Sequence, residues 1–225
     1  FKINFNHNRT KYIFQNPRDK EMFEKICKPK KNNLSIILGS GVPDDFIDKK
    51  NDLYLKTKNL SLKENNKIKG LIYCGRLLKS KGIEIFINIS KLDSSRDYLV
   101  YGGVDSSCSD SLSQEDIDKY KSINNLQFKG VTKEPLLDFY KKPYILIVPS
   151  IYGEGIPRAI AESLLLEIPV LSSRKALSST FTENMLYVVD SIDPKNYLKM
   201  INSIEKEINT NKFLSKLEKG RNFVL

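Results

Sequence analysis

The sequence predicts an α/β protein built on a doubly wound parallel sheet, and three observations carry that prediction. From Lys69 onward, apolar runs of strand length alternate with amphipathic stretches of helical period. Strand and helix in repeated succession mean parallel strands covered by helices on both faces, and right-handed crossovers wind such a sheet both ways. The runs "YILIVPS" (144–150) and "PVLSS" (169–173) read as buried strands on either side of an amphipathic helix. Finally, 225 residues with 40% hydrophobic and 10% aromatic side chains suffice for a sizeable core.

The elements follow in order. "KYIF" reads as a short strand, Asn16-Pro17 as a turn, and the chain from about Arg18 as a helix. A strand over Leu34–Leu38 ends in a Gly-Ser-Gly turn. The polar stretch from Asp48 to Lys67 reads as a linker or surface excursion. "GLIYCG" is a strand, and "KGIEIFINISKL" a helix with Ile83, Phe86, Ile87 and Ile89 on its apolar face. "DYLVYGG" is a strand closing on two glycines. "SQEDIDKYKSI" is a helix in which Ser113 and Asp116 form a capping pair. "LQFKG" is a strand, and "TKEPLLDFYKKP" a helix with Thr132 as N-cap and Pro135 in its first turn. After "YILIVPS" comes a helix over "GIPRAIAESLLLE", then the strands "PVLSS" and "MLYVVD". A helix capped by Asp193 with Pro194 at its first position follows, and a last helix stops at Gly220.

Composition removes several function classes. The net charge is +10, which either a lysine-rich solvated surface or an anionic partner explains. The lysines are scattered, with only short clusters such as Lys28-Pro29-Lys30-Lys31, so nucleic acid is not specifically signalled. Cys27, Cys74 and Cys108 share no C-x-x-C spacing and read as reduced thiols of a cytosolic protein. His7 is the single histidine, which argues against a His-based metal site or triad. No apolar run approaches the roughly 20 residues of a membrane span, and no signal peptide is evident. The chain begins at Phe1, not methionine, so further sequence is expected upstream.

Three constellations fall at strand ends, where open α/β sheets bind ligands. In "YCGRLLKSKG" a strand ends at Gly75, and Arg76 and Lys81 precede a helix. A glycine lets backbone approach a ligand, an arginine forks onto phosphate oxygens, and a lysine adds a point charge. With a helix N-terminus beside them these suit a diphosphate, although a solvated loop carries such cations too. Gly102-Gly103 permits a tight turn near a ligand, which a plain turn explains equally. In "VPSIYGEGIPRAIAESLLLEIPVLSS", Glu154 opens a helix and Glu162 lies two turns on. Eight helical residues rise about 12 Å and return to within a quarter turn of one face, so two acceptors there could grip two hydroxyl-bearing rings of one ligand. Pro157 suits the first turn, and the helix N-terminus offers N–H groups to an anion. Glu154 is also explained by the helix dipole alone. Glu162, among Ile160, Ala161, Leu164 and Leu165, is not, because a buried carboxylate without a partner is costly.

On these residues the chain resembles a known family. Glu154 to Glu162 matches the E-x7-E signature, and Gly75-Arg76-Leu77 through Lys81-Gly82 the G-R-L-x3-K-G element, of retaining GT-B glycosyltransferases of family 4. The ordered set "FQNPRD", "GSGV", "GRLLKSKG", "LVYGG", "LQFKGV", "VPSIYGEGIPRAIAES", "IPVLSS" runs from about Tyr12 to Val189 and resembles the capsule and O-antigen polysaccharide branch. The resemblance implies a Rossmann-like, doubly wound sheet forming the C-terminal half of a GT-B fold. It implies a remnant of the N-terminal acceptor domain with an interdomain strand over 1–45, a linker over 46–66, and a nucleotide-sugar-binding domain over 67–225.

The resemblance also implies roles. Arg76 and Lys81, beside Gly75, would hold the donor diphosphate and stabilise its departure. Glu154 would bind donor-sugar hydroxyls near the reaction centre, and Glu162 the ribose hydroxyls. The helix start at Gly155 and Ile156 would lie against phosphate and sugar, with Gly130-Val131 as the base-binding wall. No cofactor or metal is implied, since two cations and a helix dipole take the charge work elsewhere given to Mg²⁺. The chain departs from the family pattern at Ile156-Pro157, where aromatic-Gly is usual, at "RKALSSTFTEN", where a Gly-Gly loop is usual, and at Pro43, where Asp is usual.

The expected function is the donor-binding part of a retaining glycosyltransferase, moving a sugar from a UDP-linked donor to a glycan or lipid-linked acceptor. The expected partners are that donor, that acceptor, the chain's own N-terminal domain, and the inner face of the cell membrane as a peripheral contact of a cytoplasmic protein. The isolated fragment is expected to be inactive. Two alternatives stand beside this: a sugar-nucleotide epimerase of the same fold, and a non-catalytic nucleotide- or phosphate-binding module.

Overall fold

A computed structural model describes residues 10–37, 39, 41–57, 67–177 and 180–225. Its strands are β1 (Tyr12–Phe14), β2 (Leu34–Ile36), β3 (Gly70–Cys74), β4 (Asp97–Tyr101), β5 (Leu126–Gly130), β6 (Tyr144–Val148), β7 (Val170–Ser173) and β8 (Tyr187–Val189). Its helices are α1 (Pro17–Cys27), α2 (Asp44–Thr57), α3 (Ile83–Leu92), α4 (Gln114–Tyr120), α5 (Arg158–Leu165), α6 (Pro194–Glu207) and α7 (Asn211–Val224). β1 and β2 form a small parallel pair. The other six strands form one parallel sheet in the order β5-β4-β3-β6-β7-β8. The expected α/β doubly wound sheet is therefore the observed one.

The side chains of the central strands divide between two cores with period two. Leu71, Tyr73, Tyr98, Val100, Ile145 and Ile147 face one side, with Phe86 and Ile87 of α3 and Tyr197 and Ile201 of α6. Ile72, Leu99, Tyr101, Tyr144 and Leu146 face the other, with Phe46 of α2 and Ile160 and Leu164 of α5. Burial on both faces explains why these strands read as near-continuous apolar runs.

The caps expected at Ser113 and Asp193 are present, the one expected at Thr132 is not, and Asn16, read as part of a turn, proves to be a cap as well. Asn16 accepts from the Asp19 backbone N–H and Pro17 stands at the first position of α1. Ser113 and Asp116 bond reciprocally at α4. Asp193 caps α6 ahead of Pro194.

Four elements differ from expectation. The stretch read as a linker is helical as far as Thr57, and residues 58–66 lie outside the described ones. Among the described side chains of α2 Phe46 alone is fully buried, and Asp48 and Asp52 after it are exposed, which made a helix look like a polar excursion. The helix expected from Thr132 is a single 3₁₀ turn over Pro135–Phe139, started by Glu134 in a left-handed conformation (φ 55°) and ended near Lys141 in another. Pro135 disfavours ordinary helical backbone at the residue before it, so Thr132 caps nothing. α5 starts at Arg158, not at Gly155, because Pro157 is extended (ψ 125°) and serves as N-cap. α7 runs through Gly220 to Val224. A methyl group at Gly220 would stand 2.7 Å from Leu164 Cδ2, so this glycine serves close packing of α7 on α5 and not a helix stop. In the stretch read as a Gly-Ser-Gly turn, Gly39 and Gly41 are left-handed, while Leu38 and Ser40 lie outside the described residues.

Candidate active site

Counted within the six-stranded sheet, the strand order is 3-2-1-4-5-6, and it reverses between β3 and β6. In such sheets the crevice at the carboxyl ends of those two strands is where ligands bind. The loops that leave them, 75–82 and 149–157, carry Arg76, Lys81, Glu154 and the approach to Glu162.

The two loops are stitched together. The Ile151 N–H donates to the Ser80 carbonyl at 2.9 Å, and Ser150 Oγ reaches the same oxygen at 3.3 Å. Gly82 is left-handed (φ 75°), and a Cβ there would lie 2.1 Å from the Pro149 carbonyl oxygen. Only glycine lets the loops meet this closely. The result brings Lys81 Nζ to 2.9 Å from Glu154 Oε2, with the lysine one-fifth and the carboxylate one-tenth exposed. Tyr73, behind them on β3, donates its hydroxyl to the Arg76 carbonyl at 2.7 Å, and burial pushes its phenol well above the usual range.

Arg76 stands apart from that pair. Its guanidinium is 59% exposed and donates to Asp105 at 3.0 Å. Asp105 is held by the Ser107 hydroxyl and N–H, and these bonds together with Arg76 keep its carboxyl below the usual range. Gly102, next to β4, would place a Cβ 1.9 Å from the Gly75 carbonyl oxygen. The Gly102-Gly103 pair is thus a close approach of two strand ends and not a plain turn. Gly130 is left-handed with open space above it, and Val131 beside it is 81% exposed. These two sit at the end of β5, two strands from the crevice's centre.

Glu162 is 4% exposed and accepts from Arg158 Nε at 2.5 Å, one helical turn earlier. Burial raises its carboxyl above the usual range, Arg158 opposes that, and the negative charge of Glu134 adds to it. The same burial and the Glu162 charge push the Cys74 thiol up to about 12. Glu134 is in turn bound to Lys49 of α2 at 2.6 Å. Glu154 and Glu162 do not share a helix face as expected, because Glu154 and Gly155 precede α5. The first N–H groups of α5 belong to Arg158 and Ala159, and not to Gly155 and Ile156, since Ile160 and Ala161 donate to the Pro157 carbonyl.

The structure thus brings together Gly75, Lys81 and Glu154, sets Glu162 in the adjoining core, and leaves Arg76, Gly130 and Val131 on the rim. Sequence reasoning missed Asp105, Arg158, Glu134 and Lys49. The i, i+4 spacing of Arg158 and Glu162 is the one local signal that points to a pair. Among the described residues no group of three or more His, Cys, Asp or Glu side chains could hold a metal ion. Nor is any described helix long and apolar enough to cross a membrane.

A profile of the family "Glycosyl transferases group 1" matches residues 55–219, most of the chain. The chain belongs to that family. This group 1 chain is also similar in fold to solved structures of low identity. A glycosyltransferase from Rickettsia africae ESF-5 aligns with TM-score 0.73 and 18% identity over 96% of this chain and 58% of that one. Anabaena Alr3699/HepE in complex with UDP aligns with TM-score 0.71 and 14% identity over 96% and 58%. WaaG, a glycosyltransferase involved in lipopolysaccharide biosynthesis, aligns with TM-score 0.66 and 14% identity over 98% and 60%. This chain therefore spans less than two-thirds of the length of these three proteins. No curated protein matches it.

Proposed function

We propose that this group 1 chain is the donor-binding part of a retaining glycosyltransferase, which takes a sugar from a UDP-linked donor. The observation that carries this is the Lys81–Glu154 pair at the switch point of the sheet, with Glu162 one helical turn inside α5. A diphosphate at the ends of β3 and β6 would take Lys81 from Glu154 and draw Arg76 inward. That frees Glu154 to accept from sugar hydroxyls, while the second oxygen of Glu162, not used by Arg158, accepts from the ribose. The cations stabilise the nucleoside diphosphate as the glycosidic bond breaks, which is charge stabilisation where charge develops. Gly130 and Val131 wall the base, and Gly155 and Ile156 line the sugar side.

UDP in the complex of the Anabaena neighbour supports the choice of nucleotide. The lipopolysaccharide role of WaaG supports a glycan or lipid-linked acceptor in cell-surface polysaccharide synthesis, with peripheral contact at the inner membrane face. No metal takes part in this proposal, and the chain acts with an acceptor domain of its own protein. Calorimetric titration with UDP in EDTA tests the reading: millimolar or tighter binding is expected, and no heat at several millimolar UDP would overturn it.

A further inference from the structure

The segment "FQNPRD" has no part in the site described so far, yet the fold presses it onto the Glu154 loop. A methyl group built on Gly155 would stand 3.4 Å from both Cβ and Oε1 of Gln15, and one built on Gly153 would stand 3.1 Å from Arg18 Nη1. A third contact joins the same two pieces, since a Cβ at Gly39 would lie 2.8 Å from Ile156 Cβ. Gln15 and Arg18 thus lie against the residues on either side of Glu154, within contact distance of what a side chain there would occupy.

The polar groups of this segment are not equivalent. Asn16 is buried and spent on its helix, accepting from the Asp19 N–H and donating to the Asp19 carboxylate, each at 2.8 Å. Gln15 and Arg18 are exposed, and among the described residues neither side chain has a hydrogen-bond or ion-pair partner. By contrast Lys81, Arg76 and Arg158 each hold a carboxylate. An amide with no structural duty, placed beside the residue that follows Glu154, is free for a ligand.

We propose that Gln15 is a specificity-determining contact for the transferred sugar, contributed by the β1–α1 turn. This rests on the donor reading of the Glu154 loop. Glu154 can only accept hydrogen bonds, whereas a primary amide both donates and accepts. Gln15 can therefore bridge two neighbouring ring hydroxyls, or a hydroxyl and a carbonyl-bearing substituent, which Glu154 cannot do. The nucleotide itself, held by Lys81, Arg76 and Glu162, would not sense it.

The test is a calorimetric comparison of the 225-residue chain with its Gln15→Ala and Gln15→Glu variants. Each is titrated with UDP and with UDP-glucose, UDP-galactose and UDP-N-acetylglucosamine. Gln15 is exposed, so both variants should melt with the parent. Gln15→Ala is expected to leave UDP within twofold and to weaken the tightest UDP-sugar about three- to tenfold, the range of one or two lost hydrogen bonds. Gln15→Glu, which cannot donate, should change the rank order of the sugars. UDP and UDP-sugars weakened alike, or neither changed, would overturn this inference alone. A parent chain that binds no UDP would overturn the donor-site reading and this inference with it.

Discussion

Lys81 Nζ stands 2.9 Å from Glu154 Oε2, joining the loop after β3 to the loop after β6 across the point where the strand order reverses. Neither group is freely solvated, so the pair is worth more than a surface ion pair, and removing one partner leaves the other short of a counter-charge. In the proposed donor site a diphosphate would replace Glu154 as that counter-charge. Lys81→Met is therefore expected to weaken UDP tenfold or more, the scale of a lost charge-assisted bond. Glu154→Gln should hold UDP within about threefold, because it keeps shape and frees the lysine. Titration of both variants with UDP checks the pair of outcomes, and equal losses would contradict the division of roles.

Arg76 is engaged elsewhere, with Asp105 at 3.0 Å and more than half of its side chain in water. An exposed pair of this kind is weak, so little has to be given up when the guanidinium turns toward phosphate. Arg76→Ala should weaken UDP about three- to tenfold. Asp105→Asn, which keeps an oxygen for the Ser107 bonds, should tighten UDP by about twofold by releasing the competitor. A loss of affinity in Asp105→Asn would show instead that Asp105 positions the arginine for the ligand.

Much of this fold was legible because the strands are buried on both faces. "GLIYC", "DYLVY" and "YILIV" have no polar alternation to confuse with a surface helix, and Ser113 and Asp193 mark helix starts by local hydrogen bonds. α2 was not legible because its hold on the core is chiefly Phe46, followed by Asp48, Lys49, Lys50 and Asp52. The site divides in the same way. Lys81 and Glu154 could be named from motifs, but their contact depends on Gly82 meeting Pro149, which no local pattern encodes. Arg76 with Asp105, Lys49 with Glu134, and Gln15 beside Gly155 are likewise products of tertiary apposition.

Glu162 is a buried carboxylate held by one arginine, and the proposed ribose contact would explain why it is kept. Its carboxyl is raised mainly by burial, so in the folded chain ionisation is opposed. Below the ordinary glutamate pKa both folded and unfolded forms are neutral and nothing is lost. As pH rises past that value the unfolded chain ionises first, and the folded state loses stability until its own raised pKa is passed. Glu162→Gln is therefore expected to melt about 2 °C higher than the parent at pH 7, the scale of a fraction of a kcal/mol in a domain of this size. The gain should vanish near pH 4. The same variant should bind both UDP and uridine severalfold more weakly, since it loses the charged acceptor for ribose. Melting curves at pH 4 and pH 7 check the sign, and a gain confined to acid pH would contradict it.

Gly82 carries the loop geometry on which Lys81 depends. It is left-handed at φ 75°, and a Cβ would approach the Pro149 carbonyl oxygen to 2.1 Å, a backbone atom that cannot rotate away. Gly130 has nearly the same φ, 72°, with nothing within 4 Å of the position a Cβ would take. Gly130→Ala should therefore cost only the left-handed strain of an ordinary residue, about 1 kcal/mol. Gly82→Ala adds displacement of the 149–157 loop to that strain and should cost about 2–4 kcal/mol. Because Lys81 adjoins Gly82, Gly82→Ala should also weaken UDP where Gly130→Ala changes stability first. Urea unfolding of the two variants measures the difference. Equal losses would mean that the loop yields to the methyl group, and that Gly82 is needed for its backbone conformation alone.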